Sequence, residues 1–382
     1  MTGADVLDFT SASYLGLRHP QRALRPWPRL TTGVPAALAE PSSARALAAR
    51  IAGLVGTERA VLAASTLHAF WDLFVTLGAG RLACYVDAGV YPIAGWGIER
   101  AAGRGTLVRR FPHQDAGALT RLLRAQAGRP DRVPVVVTDG MCPGCGRPAP
   151  VRRYLGALRP LGGLLVMDDT QALGVFGQDV AQHPPYGRGG GGSLRMAQLT
   201  SPDVLIVSSL AKAFGVPVAV IAGPGSLVDR YERRSETRIH CSPPSLAHIR
   251  AAEHALEVNL RQGEQRRARL AALVRRLQDG VGTLGHRIGP AQFPVQALEP
   301  IEGVPPAMLH RRLLDLQVRA VLHRPACRPV PTCTFLITAS HTPGQIDRVL
   351  AALGHATVGP AAPSGPGQRR PPVRALVMGT QK

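Results

Sequence analysis

The sequence predicts an α/β fold, with a large domain built on a mainly parallel sheet and a smaller C-terminal α+β domain. Short apolar segments rich in Val and Ile alternate with amphipathic helices, which is typical of a parallel sheet covered on both faces. With 382 residues, 45% of them hydrophobic, the chain is long enough for a large core and more than one domain. This alternation ends near residue 240, where a long helical stretch begins.

The alternation predicts each element of the large domain in turn. Helices are predicted at 44–55 and at about 67–77. Strands follow at LACYVD, TLVRRF, VPVVVTDG, GLLVMDD, DVLIVSSL and PVAVIAG, with helices at IAGWGIERAAG, AGALTRLLRAQ and VRRYLGALRPL. Right-handed crossovers between such strands give a doubly wound sheet. The segment GRGGGGSLRM is expected to be a flexible loop, and it lacks the Lys-Ser/Thr of a phosphate-binding P-loop.

The smaller domain is predicted from the remainder of the chain. A helical stretch runs from Ser245 to about Gln278, with an expected break near Arg261 to Glu264. Strand-like FPVQALEP and TFLITAS follow, and helical PGQIDRVLAAL closes the fold. We therefore expect an N-terminal segment at 1–45, a large domain at 46–240, a small domain at 241–356 and a flexible basic tail at 357–382.

The charge and composition restrict the partners. The net charge is +20, and nearly all the cations are Arg. No nucleic-acid-binding motif is present and aromatic content is only 4%, so we expect an arginine-rich solvated surface and no nucleic-acid partner. No apolar run approaches the length of a membrane span, and MTGADVLDFT lacks the features of a signal peptide. Six cysteines are too few for a disulfide framework, so the expectation is a cytoplasmic protein with reduced thiols.

One cysteine motif, CPGC at Cys142 and Cys145, has the spacing of a redox pair or of half a zinc site. A zinc site needs further ligands, and Cys327 and Cys333 are spaced too widely for a second knuckle. A redox pair typically begins a helix, whereas glycine and proline surround this one. The sequence therefore favours no functional role for the pair.

Several reactive side chains follow predicted strands, at the edge where open α/β sheets bind ligands. Asp168 lies at the end of GLLVMDD, Lys212 lies three residues after VLIVSS and Tyr91 lies two residues after CYVDAG, while Ser65 and Thr66 begin a helix. Lys212 stands among apolar and small residues, so it either extends to solvent or is an amine with a lowered pKa.

This set of residues suits pyridoxal 5'-phosphate (PLP). The aldehyde of PLP needs a lysine amine, and its pyridine nitrogen needs a carboxylate to stay protonated. Its phosphate needs backbone N–H groups at a helix start, and an aromatic ring can stack on the pyridine. No single element is specific, but their order and location together predict a PLP site.

The motifs carry a resemblance to a known family. DFTSASYLGLRHP, VVTDGMCPGCGRPAP, LLVMDDTQALGVFG, SSLAKAFG and TASHTPGQIDRVLAAL occur in the order of the corresponding family segments. The chain resembles the α-oxoamine synthases, close to the aminooxononanoate synthases, within the fold-type I PLP-dependent transferases. The resemblance covers roughly residues 8–353, and it implies that the sheet of the large domain is of seven-stranded type.

The resemblance implies roles for the cofactor site. Lys212 corresponds to the Schiff-base lysine, and Asp168 to the partner of the pyridine nitrogen. Tyr91 replaces a ring-stacking histidine, and Gln171 replaces the histidine that contacts the ring hydroxyl. The remaining positions correspond to phosphate-binding residues, namely Ser65, Thr66, Leu67 and Ser209.

The departures from the family concern mainly the substrate site. Pro143 replaces a serine and Cys145 replaces an aspartate of the family loop. The arginine expected just before ITASHT is absent, so Arg324 or Arg328 is the candidate for binding a substrate carboxylate. The cofactor site is therefore expected to be kept, and the substrate site to be rebuilt.

Three functions compete at this point. The leading expectation is a PLP-dependent transferase that condenses an amino acid or amine with an acyl thioester and releases carbon dioxide. The alternative is a PLP-dependent aminotransferase, because fold does not fix reaction. The third is a non-catalytic basic binding protein on the same fold, against which the Lys212 and Asp168 pair argues. The resemblance also implies a homodimer.

Overall fold

The computed structural model describes residues 6–25, 29–126, 131–328 and 330–358. The predicted tail at 357–382 lies almost entirely outside the described residues. Among these residues, no helix combines the length and the apolar character needed to cross a bilayer. The chain divides into two compact units, with the division inside a long helix. The larger contains Leu15–Cys142 and Arg147–Arg267, and the smaller takes its described residues from Met1–Tyr14, Pro143–Gly146 and Ala268–Lys382.

The helices and strands of the described residues are as follows. The helices are α1 Gln21–Leu24, α2 Ser42–Val55, α3 Thr66–Thr76, α4 Pro92–Ala102, α5 Ala116–Gln126, α6 Val151–Leu158, α7 Ser193–Met196, α8 Gly225–Arg234, α9 Glu236–His240, α10 Leu246–Thr283, α11 Pro306–Asp315 and α12 Pro343–Val358. The strands are β1 Leu7–Asp8, β2 Arg59–Ala63, β3 Leu82–Asp87, β4 Leu107–Phe111, β5 Val133–Asp139, β6 Leu164–Asp168, β7 Val204–Ser209, β8 Ala219–Gly223, β9 Val295–Ala297, β10 Val318–Arg319, β11 Val321–His323 and β12 Thr332–Leu336.

The larger unit is built on a seven-stranded sheet in the order β2-β8-β7-β6-β5-β3-β4. All neighbouring pairs from β7 to β4 are parallel, and β8 runs antiparallel to both β7 and β2. The predicted mainly parallel sheet is therefore confirmed. Because β3, β5, β6 and β7 are parallel neighbours, their carboxyl ends meet at one edge, which is where ligands bind in such sheets.

Apolar burial on both faces holds this sheet. Strands β5, β6 and β7 are buried along nearly their whole length, which explains their continuous apolar sequences. On one face, helices α3 and α4 pack with the sheet in a core that includes Phe70, Phe74 and Ile98. The ends of three helices follow known capping preferences. Ser65 is the N-cap of α3, Pro92 is the first residue of α4, and Gly56 ends α2 in the left-handed conformation at φ 82°.

Strand prediction succeeded for six of the seven strands of this sheet and missed β2. The RAVLA segment has five residues, and only three residues separate it from helix α2. Its pairing with β8 over residues 59–63 is what makes it a strand. Pairing with a partner distant in sequence is invisible to a local pattern.

The predicted break near Arg261 to Glu264 is wrong, because α10 continues without interruption through this region. Gly263 lies in this region, and its missing side chain serves packing. A Cβ there would lie 2.5 Å from Arg267 Nη2 and 2.6 Å from Asn259 Oδ1. Arg267 is almost fully buried, and its guanidinium donates to Asn259 Oδ1 and to the Gly174 carbonyl, each at 2.8 Å. The glycine therefore makes room for a buried arginine.

The smaller unit contains two small sheets. An antiparallel sheet has the order β11-β12-β9, and β1 pairs in parallel with β10 through Leu7 and Val318. The two predicted strands correspond to β9 and β12, and the predicted closing helix corresponds to α12. The sequence did not predict β1, β10 or β11, which span only two or three residues each. The α+β character of this part of the chain is as expected.

Candidate active site

Two carboxylates end neighbouring strands at the carboxyl edge of the large sheet. Asp139 ends β5 and Asp168 ends β6, and the two are register partners in the parallel ladder. Both side chains are buried. Burial raises the pKa of Asp168, and burial together with the nearby charge of Asp168 raises the pKa of Asp139 well above its usual range. The sequence analysis identified Asp168 but missed Asp139.

Thr170 connects Asp168 to the next strand. Its backbone N–H donates to Asp168 Oδ1 at 3.0 Å, and its hydroxyl also hydrogen-bonds the carboxylate. The same hydroxyl oxygen accepts from the Ser209 N–H at 2.9 Å. These bonds favour the charged form of Asp168 and partly offset the effect of burial on its pKa. The residue was missed because nothing in its local sequence indicates that it joins two strand ends.

Lys212 lies in the turn between β7 and β8. Its side chain is partly buried, and burial lowers the pKa of its amine, while the negative charge of Asp168 acts in the opposite direction. The same interaction lowers the pKa of Asp168. Lys212 and Asp168 are therefore close enough that the charge of each changes the pKa of the other. Burial also favours the neutral form of the Lys212 amine, which is the nucleophilic form.

Tyr91 lies at the N-terminus of α4, beyond the carboxyl end of β3. Its backbone N–H donates to Asp139 Oδ1 at 3.1 Å. Burial and the charges of Asp168 and Asp139 raise the pKa of its phenol, so the ring is close to both carboxylates and stays neutral. This placement brings Tyr91 into the same group as Asp168 and Lys212.

The predicted phosphate turn forms the start of α3. Ser65 is the N-cap, and its hydroxyl oxygen accepts from the His68 N–H at 3.4 Å and bonds His68 Nδ1 at 2.7 Å. Thr66 and Leu67 occupy the first turn, where backbone N–H groups lack helical acceptors. Leu67 is 40% exposed, which leaves the approach to this helix start open.

The other predicted site residues are half-buried or exposed. Gln171 is half-buried in the turn that follows β6, next to Thr170, and Ser209 ends β7. Arg324 is exposed. Arg328 is already engaged, because its guanidinium pairs with Glu299 at 3.0 Å and donates to the Gly144 carbonyl at 3.1 Å. A substrate role for either arginine stays a prediction.

A third buried carboxylate, Asp169, organises the glycine-rich segment that was expected to be flexible. It accepts hydrogen bonds from the backbone N–H and the hydroxyl of Ser193. Nearby, Asn259 donates to the Gly189 carbonyl at 2.9 Å, and the Gly189 N–H donates to Glu264 at 2.8 Å. The segment therefore has a defined set of hydrogen bonds beside the strand ends.

Asp169 gives the first testable expectation. Burial raises its pKa to about 7. Between about pH 4 and 7 the folded protein then holds a proton that the unfolded chain has lost, so its free energy of unfolding falls as pH rises through this window. In Asp169→Asn this fall should be smaller by on the order of 4 kcal/mol, because each tenfold change in proton affinity corresponds to about 1.4 kcal/mol. Urea denaturation at about pH 4 and about pH 8 measures the difference. The exposed Asp315→Asn serves as the control, and identical pH profiles for all three proteins would contradict the assignment.

The chain is similar to several known proteins and solved structures. The 8-amino-7-oxononanoate synthase of Alkalilimnicola ehrlichii is 33% identical over 260 residues, which is 67% of this chain and 63% of that protein. This chain thus spans less than two thirds of that relative's length. A serine palmitoyltransferase from S. paucimobilis, solved with bound PLP–myriocin aldimine, has a TM-score of 0.78 and 19% identity, covering 91% of this chain and 86% of that chain.

A further solved structure is the 8-amino-7-oxononanoate synthase of Francisella tularensis. It has a TM-score of 0.73 and 17% identity, covering 91% of this chain and 97% of that chain. These likenesses confirm the predicted fold and the predicted resemblance. The family model for aminotransferase class I and II matches residues 4–353, so nearly the whole chain is covered. The chain therefore belongs to the aminotransferase class I and II family.

Proposed function

We propose that this protein is a PLP-dependent enzyme that joins an amino acid to an acyl thioester, with loss of carbon dioxide, as the α-oxoamine synthases do. The observation that carries the proposal is the placement of Lys212 and Asp168 at the carboxyl edge of the sheet, close enough that the charge of each changes the pKa of the other. The relatives named 8-amino-7-oxononanoate synthase and the serine palmitoyltransferase likeness support condensation over transamination.

The residues present fit PLP. Lys212 offers an amine whose pKa is lowered by burial, and Asp168 offers a carboxylate fixed by Thr170. The N-terminus of α3 offers backbone N–H groups for a phosphate. Ser208 adds a fully buried hydroxyl that has no hydrogen-bond partner among the described residues, one position before Ser209. An unsatisfied buried hydroxyl is costly, and a polar group bound beside it would satisfy it.

Bound PLP would supply an electron sink for negative charge that develops at the substrate carbon. Lys212 would bind the aldehyde carbon of PLP through Nζ, and as a neutral amine it would accept a proton from the substrate. The Asp168 carboxylate would hold the proton on the pyridine nitrogen, and that positive charge would oppose the effect of burial on the carboxyl pKa. The Tyr91 ring would pack against the pyridine face.

The remaining parts of the proposal concern substrates and assembly. We infer that Ser65, Thr66, Leu67 and Ser209 bind the phosphate, and that Gln171 contacts the ring. Arg324 is the better candidate for a substrate carboxylate, because Arg328 is held by Glu299. A homodimer is expected, and the exposed Trp71 and Trp96 side chains of α3 and α4 are candidates for its interface. We expect the protein to act in the cytoplasm.

A product assay tests the proposed reaction. The purified protein with PLP is incubated with a panel of amino acids and acyl-CoA thioesters of different chain length. The expected result is release of free CoA and of carbon dioxide in equal amounts, with a new aminoketone identified by mass spectrometry. Formation of a keto acid without carbon dioxide would support the aminotransferase alternative and contradict the proposal. The Lys212→Ala protein is the control for uncatalysed thioester hydrolysis.

A further inference from the structure

Ser65, the N-cap of α3, shares its hydroxyl with a histidine in the first turn of the helix. Its Oγ lies 2.7 Å from His68 Nδ1 and accepts the His68 backbone N–H at 3.4 Å. Both residues are half-buried. We propose that His68 is a positioning residue, which turns the Ser65 hydroxyl toward the phosphate group of PLP. This inference rests on the proposed PLP site, but not on the reaction that the protein catalyses.

The hydrogen-bonding capacity of a hydroxyl explains why His68 matters. A serine hydroxyl has one O–H donor and two lone pairs that accept. If His68 Nδ1 carries a proton, it donates to Ser65 Oγ, and the O–H of Ser65 stays available to an anion. If Nδ1 carries none, the Ser65 O–H donates to it, and the hydroxyl presents only a lone pair to the phosphate oxygens. The proton on one ring nitrogen therefore decides whether Ser65 is a phosphate donor.

The second predicted phosphate hydroxyl shows the arrangement that His68 would produce at Ser65. Ser209 Oγ accepts from the Ala211 N–H at 3.1 Å. This bond uses a lone pair of Oγ and not its O–H. A protein N–H thus fixes the oxygen of Ser209 while its O–H remains a donor, and His68 Nδ1–H would do the same for Ser65.

The start of α3 and Ser209 lie at the same edge of the large sheet. Ala63 at the end of β2 and Ser209 at the end of β7 both pair with Ala219 of β8, one on each side. Neighbouring strands are about 4.8 Å apart, so the Cα atoms of Ala63 and Ser209 are separated by roughly 10 Å. Ser65 follows Ala63 by two residues, so both hydroxyls lie at the end of the sheet where PLP is proposed to bind.

The surroundings of His68 favour a proton on Nδ1. His68 lines a pocket that Arg238 also lines. The Arg238 side chain is buried, and its Nη1 donates to Glu40 at 3.2 Å, while its Nε has no hydrogen-bond partner among the described residues. Since a guanidinium carries only donors, a lone pair on His68 Nε2 is more favourable in this pocket than a second N–H. A neutral imidazole with its lone pair on Nε2 has its proton on Nδ1, which is the form that the proposal requires.

Comparison of PLP with pyridoxal, which lacks the phosphate, tests the proposal by equilibrium dialysis. His68→Leu should raise the dissociation constant for PLP by about 10–100-fold, the effect of one hydrogen bond to a charged group, and leave that for pyridoxal unchanged. His68→Asn should restore most of the PLP affinity, because its amide N–H can donate to Ser65 Oγ as Nδ1–H does. The matched control is His355→Leu, at an exposed histidine on α12, which should bind both compounds like the parent.

A double-mutant cycle separates positioning from a direct contact. If His68 acts through Ser65, the protein with both Ser65→Ala and His68→Leu should bind PLP as Ser65→Ala alone does. Additive losses would overturn the proposal, and so would an equal loss of pyridoxal affinity in His68→Leu. A parent that binds PLP while His68→Leu binds it equally well overturns this inference alone. A parent that does not bind PLP overturns the proposed function as well.

Discussion

Replacement of Lys212 by alanine is expected to lower turnover by at least about 10³-fold and to abolish covalent retention of PLP. Lys212 is the only lysine among the described residues, and its amine can both bind an aldehyde and accept a proton. Alanine removes it without adding bulk to the turn between β7 and β8. Initial rates at saturating PLP and substrates measure the effect, with PLP content determined after gel filtration.

The composition of the chain offers an unusually clean control. Lys212 and Lys382 are the two lysines in the sequence. Lys382→Arg should therefore retain full activity and full PLP content, and it makes Lys212 the only lysine side chain. If Lys212→Ala kept more than about a tenth of the parent's turnover, well above the loss expected for a general base, the assignment would be wrong.

Replacement of Asp168 by asparagine is expected to lower turnover by about 10²–10³-fold while leaving PLP covalently bound. Asparagine keeps an acceptor for the Thr170 N–H, so the strand end should be preserved, but it cannot hold a proton on the pyridine nitrogen. The variant also removes the charge that raises the pKa of Lys212. In PLP-free protein, the pH at which Lys212 becomes reactive should therefore fall, as measured by trinitrophenylation in the Lys382→Arg background.

Asp139→Asn is the matched control for this prediction. Asp139 is equally buried and is the register partner of Asp168, but the pKa of Lys212 responds to burial and to the charge of Asp168. The reactivity profile of Lys212 should stay where it is in this variant. Equal changes in the two variants, or no change in Asp168→Asn, would contradict a direct Asp168–Lys212 interaction.

The sequence was sufficient for those parts of the fold that local patterns determine. The buried strands β5, β6 and β7 are continuous apolar runs, and the start of α3 is visible as Ser65 and Thr66. The sequence was not sufficient where a residue's role depends on a distant partner. The helix break expected near Arg261 to Glu264 is absent, because Gly263 makes room for Arg267, whose contact with the distant Gly174 carbonyl no local pattern reveals.

Some residues of the candidate site could likewise be identified from local sequence, and others could not. Asp168 and Lys212 could be identified because each carries a charge at or just after the end of an apolar strand. Asp139 and Thr170 could not be, since their importance comes from the alignment of β5, β6 and β7.

The role of Lys212 as the PLP-binding residue is tested by the visible spectrum of the Lys382→Arg protein with PLP, before and after borohydride reduction. We expect a yellow protein that loses its colour on reduction, with the phosphopyridoxyl group found by mass spectrometry on the peptide containing Lys212. A protein that stays colourless with added PLP, or one labelled only at its N-terminal amine, would contradict this role.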